Sequence, residues 1–427
     1  MRICLGNAII LEGTFQNASE RLIVNKGWQL NPAQVSNTMS LVLEGIRIID
    51  LTWLGPGVFC STTFGDLGAD VIEVYEAHPE RRGAPYTMLY DGTRPGMRNC
   101  RTIGIDLKSP AGREVLYDLV KTADVVMEGF RPGVAQRLGA DYDTVRRINP
   151  RIIYASISGY GQSGPYRDLV GHDINYIAMG GLLGLTGLAG GAPVIPGTVL
   201  ADFAAGGMSA AIGILAALLS RERTGQGRFV DVSMLDAVVE LNILEINPYL
   251  LGGAVPHRGE GMFNGKYPWY NVYETKDGKH ISLGALEPWF FANLCQLLGC
   301  EDFIPHQYDE GDKKEEMFRY FRDTFLTRTR DEWFALLRQK DTCVAPVYDI
   351  DEMESDTHLM ARRMILELDH PTLGRMKQVG SMHKISDSPV EARIWSTRFG
   401  QYTDEILREM GYDDAKIKKL RESDAVG

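Results

Sequence analysis

Cysteine and histidine are scarce in this sequence, with six and eight residues among 427. No CxxC pair occurs, and no histidine lies at the spacing typical of metal ligands. These absences argue against a metal site and a disulfide framework, and they predict reduced thiols in a cytoplasmic protein. The cysteines are scattered along the chain at Cys4, Cys60, Cys100, Cys295, Cys300 and Cys343.

Basic residues are outnumbered by acidic ones, 45 to 56, which gives a formal net charge of -11 and a pI near 5.3. This balance argues against binding to nucleic acid or to a membrane surface, because both favour basic patches. The uncharged run 203–220 has the length of a membrane span, but small residues dominate it and Asp202 directly precedes it. We therefore predict a buried helix of a soluble protein.

Residues 1–38 lack the positive region, apolar core and cleavage site of a signal peptide, and they show no strong hydrophobic periodicity. We interpret them as a loose extension. The remaining length predicts two domains. We place their limits as follows: a large domain over 39–233, a linker at 234–265, a small α+β domain over 266–360, a second linker at 361–385, and a return to the large domain over 386–427.

Short β-rich runs alternate with helical patterns in the first half of the chain, which predicts βαβ units and a parallel sheet. The clearest helix begins at Ser109-Pro110, with an N-cap and a proline at the first helical position, and extends to about Thr122. A second, apolar helix follows Asp202, and a third runs from about Leu235 to Leu251. The predicted strands are 46–52, 69–75, 102–107, 124–130, 151–158 and 228–233.

The pattern changes after Gly252. A hairpin is predicted with strands at 273–275 and 280–284 around a turn at Asp277-Gly278, because Asp-Gly favours a tight turn. Helices are predicted at 288–298, 314–326 and 330–339. A charged helix is expected near the carboxyl terminus of the chain.

A glycine-rich run, Gly159–Gly164, matches G-x-G-x-x-G after a predicted strand. A dinucleotide site also requires a helix directly after the motif and an acid about twenty residues on. The residues after Gly164 do not begin a convincing helix, so we favour a turn that borders a different ligand, with Gly159, Tyr160 and Gly161 as contacts.

His172, Asp173 and Asp202 are the candidates for chemistry. His172 and Asp173 precede an apolar helix, where free N–H groups favour an oxyanion. A lone acid beside an uncharged segment is costly to bury unless it is paired or reactive. Alternative interpretations remain: Asp173, Asp202 and Glu287 each precede a predicted helix as N-caps do, and His172 has the pattern of a satisfied buried side chain.

Basic residues flank two of the predicted strands. Arg98, Asn99 and Arg101 lie just before the strand 102–107, and Arg131 directly follows the strand 124–130. Cations at the carboxyl ends of parallel strands are well placed for phosphates. Solvated surface arginines are the alternative interpretation.

Taken together, several segments resemble CoA-transferase family III, and most closely its α-methylacyl-CoA racemase branch. The resemblance runs from about Leu43 to the end of the chain. It rests on the segments 65–72, 106–109, 158–162, 171–176, 200–203, 221–227 and 284–288.

The resemblance implies an α/β fold with a Rossmann-like parallel-sheet large domain, a smaller α+β domain and an interlocked homodimer. It implies an acyl-CoA substrate, with coenzyme A as part of the thioester, and no tightly bound cofactor. In the racemase branch His172 and Asp202 correspond to two bases that flank Cα, and Glu287 pairs with the histidine. In the transferase branch the acid at Asp202 is instead a nucleophile that forms covalent intermediates.

Two departures from the racemase pattern concern substrate binding. Asn264 replaces an acid and Lys266 replaces a glycine in the run 261–270, which predicts a different acyl pocket. Glu76 stands where many members have a basic residue for the CoA phosphates. Arg98, Arg101 and Arg131 remain as predicted phosphate ligands.

Overall fold

A computed structural model describes residues 41–52, 55–78 and 98–427. The predicted extension 1–38 lies outside these residues. Residues 41–427 form one compact unit by their contacts.

Six parallel strands form the main sheet, in the order β3-β2-β1-β4-β5-β6. The chain moves outward from β1 to β3 and then returns to the other side of β1, so the connections diverge between β1 and β4. Ligands of open parallel sheets bind outside the carboxyl ends of the strands at this point. The strands are β1 (Arg47–Asp50), β2 (Asp70–Tyr75), β3 (Cys100–Gly104), β4 (Val125–Glu128), β5 (Ile153–Ser158) and β6 (Arg228–Ser233).

All six strands were predicted, but β3 begins two residues earlier than expected and ends at Gly104. Cys100 pairs with Val71 of β2, so the sheet extends the strand toward its amino end. Arg101 therefore lies inside the strand rather than before it.

Helices cover both faces of the sheet. The helix Pro110–Thr122 begins as predicted, because Pro110 takes the first helical position and the Ser109 hydroxyl accepts from the N–H of Gly112. The helices of this first part are α1 (Pro56–Asp66), α2 (Pro110–Thr122), α3 (Val134–Leu138), α4 (Tyr142–Ile148), α5 (Asp173–Met179) and α6 (Leu182–Leu185).

The long apolar helix follows as predicted, but its first eight residues, Ala201–Met208, form a π-helix before α7 (Ser209–Thr224) begins. Within the described residues, 201–224 is the one helix whose length and composition would allow it to cross a membrane, and 44% of its apolar stretch is buried. Asp202 lies inside the first turn of the π-helix, so the interpretation of Asp202 as a cap before Phe203 is wrong.

The single helix predicted over 235–251 is two helices, α8 (Met234–Leu241) and α9 (Ile243–Leu250). Asn242 separates them, and its side-chain amide donates to the carbonyl of Gly180 at 2.8 Å. This buried bond satisfies the Asn242 amide group at the break.

The smaller α+β part has its own hydrophobic core, which includes Trp269, Phe291, Phe321 and Trp333. Its antiparallel sheet has the order β7-β8-β9, and β9 was not predicted. Its elements are β7 (Tyr270–Glu274), β8 (His280–Gly284), α10 (Pro288–Leu298), a 3-10 helix (Glu301–His306), α11 (Asp312–Phe325), α12 (Arg330–Leu337) and β9 (Val344–Val347).

The predicted linker 361–385 is not a simple connection. It contains an antiparallel hairpin, β10 (Ile365–His370) and β11 (Gly374–Val379), after the short helices α13 (Ile350–Met353) and α14 (Thr357–Ala361). The hairpin was missed because its strands carry few β-branched residues and many charges.

The carboxyl-terminal helices α15 (Thr403–Glu409) and α16 (Asp414–Glu422) share a core with the main sheet. Leu407 and Ile417 are buried together with Ile72 and Ile103 of β2 and β3. The exact domain limits stay a prediction.

Candidate active site

His172 stands at the amino terminus of α5, beyond the carboxyl end of β5. It is the N-cap residue, with an extended backbone, and its N–H donates to the Asn175 side chain at 3.0 Å. The His172 side chain is exposed. The interpretation of His172 as a satisfied core histidine is therefore wrong, and Asp173 is the first helical residue rather than the cap.

Asp173 connects the two candidate bases through the backbone. Its buried carboxylate accepts from the N–H of Ala201 and, at 3.3 Å, from the N–H of Asp202. These two N–H groups begin the π-helix, where the backbone has no intrahelical acceptor. Asp173 therefore positions Asp202, and its carboxylate does not lie free in the site.

Asp202 has a perturbed carboxyl group. Burial and the negative charge of Asp173 raise the pKa of Asp202 to about 6, while His172 opposes the rise. His172 and Asp202 are therefore close enough to interact electrostatically. A carboxylate with a raised pKa is a stronger base than an exposed one and is still mostly ionised at neutral pH.

Gly55, at the start of α1, leaves space beside this carboxylate. A Cβ atom there would lie 2.8 Å from Asp202 Oδ2, and the φ of Gly55 is 58°. Both the close approach and the left-handed backbone favour glycine. The sequence analysis did not single out Gly55, although a Gly-Pro-Gly turn after a strand was a usable signal.

The glycine-rich run borders the same place. Any side chain at Gly159 would overlap the ring of Tyr176, whose hydroxyl donates to the carbonyl of Gly171 at 2.6 Å. Tyr160 packs edge-on against Tyr176 at 5.1 Å between ring centroids. Gly161 has a φ of 80°. These contacts hold the segment that leads to His172, and contact of Gly159, Tyr160 and Gly161 with a ligand stays a prediction.

A chain of polar groups connects this turn to the strands β5 and β4. The Gln162 side-chain amide donates to Ser156 at 2.8 Å, and the Ser156 hydroxyl donates to Glu128. Burial raises the pKa of Glu128 to about 7, while bonds from Ser156 and the N–H of Phe130 lower it. Glu128 was not predicted, because a single acid at the end of a strand has no distinctive pattern.

Glu287 lies in the smaller core region, at the N-cap of α10. Its side chain makes no capping bond. Among the bonds and ion pairs of the described chain none joins Glu287 to His172. The prediction that they pair across a dimer therefore stays a prediction.

Arg98 and Arg101 are placed differently from the prediction. Both lie at the amino end of the sheet, because they precede or begin β3. Arg98 is 3% exposed and bonds Asp66 at 2.6 Å, and Arg101 bonds Asp70 and Glu409. Asn99 has a φ of 61° and its side chain bonds Asp66 and backbone groups of the carboxyl-terminal segment. Their expected position at the carboxyl ends of strands is wrong.

The carboxyl ends of the strands instead border a cavity of about 540 Å³. Lys108 and Arg137 supply its positive charge, and Glu76 makes a long contact with Lys108 at 3.5 Å. Arg131 follows β4 and is close enough to Tyr176 to lower the pKa of its hydroxyl, which burial raises. The apolar lining comes from Leu51, Val74, Tyr75, Ile105, Leu107, Phe130, Val134 and Leu138.

Arg137 was not predicted, because the predicted phosphate ligands were the basic residues next to strand ends. Arg137 lies on α3, several residues beyond β4. Because Arg137 is several residues from the strand in sequence, its position beside the cavity was not apparent from the sequence.

Comparison with known proteins agrees with this architecture. A family model described as CoA-transferase family III matches residues 43–400. Alpha-methylacyl-CoA racemase of Homo sapiens is 36% identical over 382 residues, which cover 89% of this chain and 96% of that protein. The succinyl-CoA–L-malate CoA-transferase beta subunit of Chloroflexus aurantiacus is 32% identical over 403 residues, which cover 90% of this chain and 98% of that protein.

A solved structure shares the fold. The crystal structure of a CaiB/BaiF family protein from Brucella suis superimposes with a TM-score of 0.73 at 25% identity, over 87% of this chain and all of that one. The parallel sheet and the family match define a mixed α/β enzyme that acts on CoA thioesters. The chain belongs to CoA-transferase family III, and the resemblance seen in its motifs is confirmed.

Proposed function

We propose that this enzyme is an acyl-CoA racemase that interconverts the two configurations at C2 of 2-methylacyl-CoA or related 2-substituted thioesters. One observation carries the proposal: His172 and the half-buried carboxyl of Asp202 are close enough to interact electrostatically. A racemase needs an acid and a base on opposite faces of one carbon. Two titratable side chains anchored on separate helices meet that need.

The reaction is a proton exchange at Cα. One residue of the pair removes the α-proton, which leaves an enolate on the thioester. The other residue donates a proton to the opposite face, so the bond to the first proton breaks and a new C–H bond forms with inverted configuration. His172 and Asp202 exchange roles according to the starting enantiomer.

The enolate oxygen needs hydrogen-bond donors. The first N–H groups of a helix have no intrahelical acceptor, and those of α5 follow His172. Donors of this kind stabilise charge that develops in the transition state without reorganisation.

The nucleotide end of the substrate fits the cavity at the carboxyl ends of β1 to β4. An adenine ring suits its apolar lining, and Lys108 and Arg137 suit the phosphates. Arg131, which follows the same strand as Phe130 of this cavity and interacts electrostatically with Tyr176, is a further candidate for a phosphate.

The experiment that tests the reaction is proton exchange in deuterated water. The enzyme, incubated with one enantiomer of a 2-methylacyl-CoA and no acceptor acid, is expected to incorporate α-deuterium and to form the other enantiomer. Mass spectrometry and chiral separation measure both. Absence of exchange with every acyl-CoA tested would contradict the proposal.

CoA transfer between carboxylic acids is the alternative. It is supported by the cavity that Gly55 and Asp202 line, which leaves the Asp202 carboxylate accessible, and by the CoA-transferase among the relatives. In that reaction Asp202 attacks the thioester carbonyl and displaces the CoA thiolate, and the thiolate then forms an aspartyl thioester and releases the acid. Quenching with a labelled acyl-CoA and mapping the peptide that contains Asp202 would detect this bond, which a racemase does not form.

We further propose a homodimer in which Glu287 of one chain orients His172 of the other. The described surface supports a dimer, because large apolar side chains are exposed along α7 and α9. They include Ile212, Leu219, Leu244 and Leu250, which are 50% exposed or more.

A complementation experiment tests the shared site. His172→Ala and Glu287→Ala chains carrying different tags are co-expressed, and the mixed dimers are purified. If each site combines two chains, one of the two sites in a mixed dimer is intact, and about half the wild-type activity returns. If each site lies within one chain, neither is intact and no activity returns.

A further inference from the structure

A fully buried acid, Asp50, ends β1 on the face of the sheet that α1 covers. Its carboxylate accepts from the N–H of Thr52 at 2.7 Å and from the hydroxyl of Ser61 on α1. Asp50 and Ser61 are both 0% exposed. The Asp50 side chain therefore joins the carboxyl end of β1 to the middle of α1.

The charge of Asp50 is unfavourable at this position. Burial and the charge of Glu73, its neighbour on β2, raise the pKa of Asp50 to about 7, while the bonds from Ser61 and Thr52 lower it. A buried carboxyl group that ionises with difficulty still accepts hydrogen bonds from both partners. The contribution of Asp50 to this region is therefore its pair of hydrogen bonds rather than its charge.

α1 meets β1 through one face of the helix. Gly57 and Ser61 are four residues apart and lie on the same side of α1. A Cβ atom at Gly57 would lie 1.8 Å from Thr52 Oγ1, so only a glycine allows the helix to approach this threonine so closely. Because Asp50 bonds both Thr52 and Ser61, it determines how the amino-terminal half of α1 lies against the strand.

Other residues of α1 pack against the π-helix that carries Asp202. A Cβ atom at Gly206 would lie 2.6 Å from Pro56 Cβ, and one at Gly207 would lie 2.9 Å from the ring of Phe59. No side chain of the π-helix separates the two helices at these positions. A shift of α1 is therefore transmitted to the π-helix, because closely packed interiors transmit strain.

α1 also shields the carboxyl group of Asp202. A Cβ atom at Gly55, the N-cap of α1, would lie 2.8 Å from Asp202 Oδ2. Burial is the largest cause of the raised pKa of Asp202, and the charges that act on it belong to Asp173 and His172. Asp50 therefore influences Asp202 through the position of α1 and not through its own charge.

We propose that Asp50 is a positioning residue of the active site: its hydrogen bonds to Thr52 and Ser61 fix α1, and α1 fixes and shields the carboxyl group of Asp202. The inference rests on the proposed function only for the role of Asp202, which racemisation and CoA transfer both require. Displacement of a reacting group by about 1 Å can lower a rate about 10²-fold. A polar contact outside the site therefore controls turnover without touching the substrate.

Four variants separate the hydrogen bonds of Asp50 from its charge and from general stability. Asp50→Leu is similar in shape and makes neither bond, whereas Asp50→Asn loses the charge but accepts from Thr52 and donates to the Ser61 oxygen. Ser61→Ala removes only the bond to α1. Ile153→Ala is the control, because it leaves a cavity in the same core but lies on β5, two strands away from β1.

Asp50→Leu is expected to lower kcat about 10²-fold and to leave KM for acyl-CoA unchanged, because the cations proposed for the phosphates lie on other elements. Ser61→Ala should lower kcat less, and Asp50→Asn should keep the wild-type kcat. Ile153→Ala should lower the melting temperature, as Asp50→Leu does, and should keep the wild-type kcat.

The pKa of Asp202 is measured without turnover. A water-soluble carbodiimide couples the carboxyl group to a labelled amine, and peptide mapping gives the rate at Asp202 as a function of pH. In Asp50→Leu this pKa is expected to fall from about 6 toward 3.8, because α1 no longer excludes water from the carboxylate. It should keep its wild-type value in Asp50→Asn and Ile153→Ala.

A kcat for Asp50→Leu no lower than that of Ile153→Ala would overturn the proposal, as would an unchanged pKa of Asp202 in Asp50→Leu. An equal loss of kcat in Asp50→Asn and Asp50→Leu would assign the effect to charge and also overturn it. If Asp50→Leu does not fold, Ser61→Ala decides by the same two measurements. The labelling needs no catalysis, so absence of deuterium exchange would contradict the racemase reaction and leave the test of Asp50 intact.

Discussion

The two ends of the parallel sheet handle charge in opposite ways. At the amino end, acids and bases from neighbouring elements are paired: Asp70 with Arg47 and Arg101, and Asp124 with Arg221. At the carboxyl end Lys108 contacts Glu76 at 3.5 Å, but no ion pair involves Arg131 or Arg137 within the part of the chain that the structure describes.

The difference separates structural from ligand-binding charges. A paired and partly buried ion is costly to break and has no free hydrogen-bonding capacity for a ligand. A cation without a carboxylate partner, beside an open cavity, retains that capacity for a phosphate. The predicted position of Arg101 at the carboxyl end of a strand is wrong, because residues that precede or begin a strand lie at its amino end.

The largest expected effect comes from replacing a carboxylate by an amide, at Asp202 in the candidate site and, as a control, at Asp124 at the amino end of the sheet. Asp202→Asn is expected to lower turnover about 10²- to 10⁴-fold, because an amide neither accepts the proton nor acts as nucleophile. Asp124→Asn is the matched control, since its carboxylate pairs with Arg221 at the opposite end. It should lower the melting temperature and leave kcat unchanged. Near-wild-type turnover in Asp202→Asn would refute the site assignment.

His172→Ala is expected to lower racemisation by about 10²-fold, at the lower end of general-base effects. Exchange at the face that Asp202 serves should survive, so deuterium enters one enantiomer faster than the other. Equal and undiminished exchange from both enantiomers would disprove the two-base mechanism. Retention of substantial CoA transfer would favour the alternative function.

Arginine substitutions sharpen the comparison directly. Arg137→Ala should raise KM for acyl-CoA about 10-fold or more, because a charge-assisted bond to phosphate contributes about 1.5–3 kcal/mol. Arg101→Ala should leave KM unchanged and lower the melting temperature, since its partners Asp70 and Glu409 then keep only Arg47 as a cation. An increase in KM for Arg101→Ala with none for Arg137→Ala would reverse the roles of the two ends.

The smallest effect concerns stability and pH. Burial raises the pKa of Asp202 from 3.8 to about 6, with Asp173 adding to the rise and His172 opposing it. Between pH 3.8 and about 6 the folded protein binds more protons than the unfolded chain. Ionisation of Asp202 therefore lowers the free energy of unfolding as pH rises, and the full loss is reached above about pH 6.

Asp202→Asn should therefore melt about 1–2 °C above wild type at pH 8, and the difference should shrink as pH falls toward 4. Differential scanning calorimetry across this range measures it. A melting temperature below that of wild type at pH 8 would show that the carboxylate is stabilised by contacts rather than strained by burial.

Much of the fold followed from local patterns. Alternation predicted the six strands of the main sheet, and Ser109-Pro110 marked the start of α2 correctly, because capping depends on neighbouring residues alone. The hairpin β10–β11 escaped prediction because its pairing, rather than its composition, defines it.

The candidate site divides along the same line. The sequence by itself determined that His172 precedes a helix and that Asp202 begins an apolar one, since both facts depend on adjacent residues. Only the tertiary structure decided that Asp173 bonds the backbone of Asp202, that Arg98 links α1 to the hairpin, and that Arg137 lines the cavity at the carboxyl ends of the strands. These contacts join residues far apart in the chain, and their energies depend on burial and distance, which no local pattern specifies.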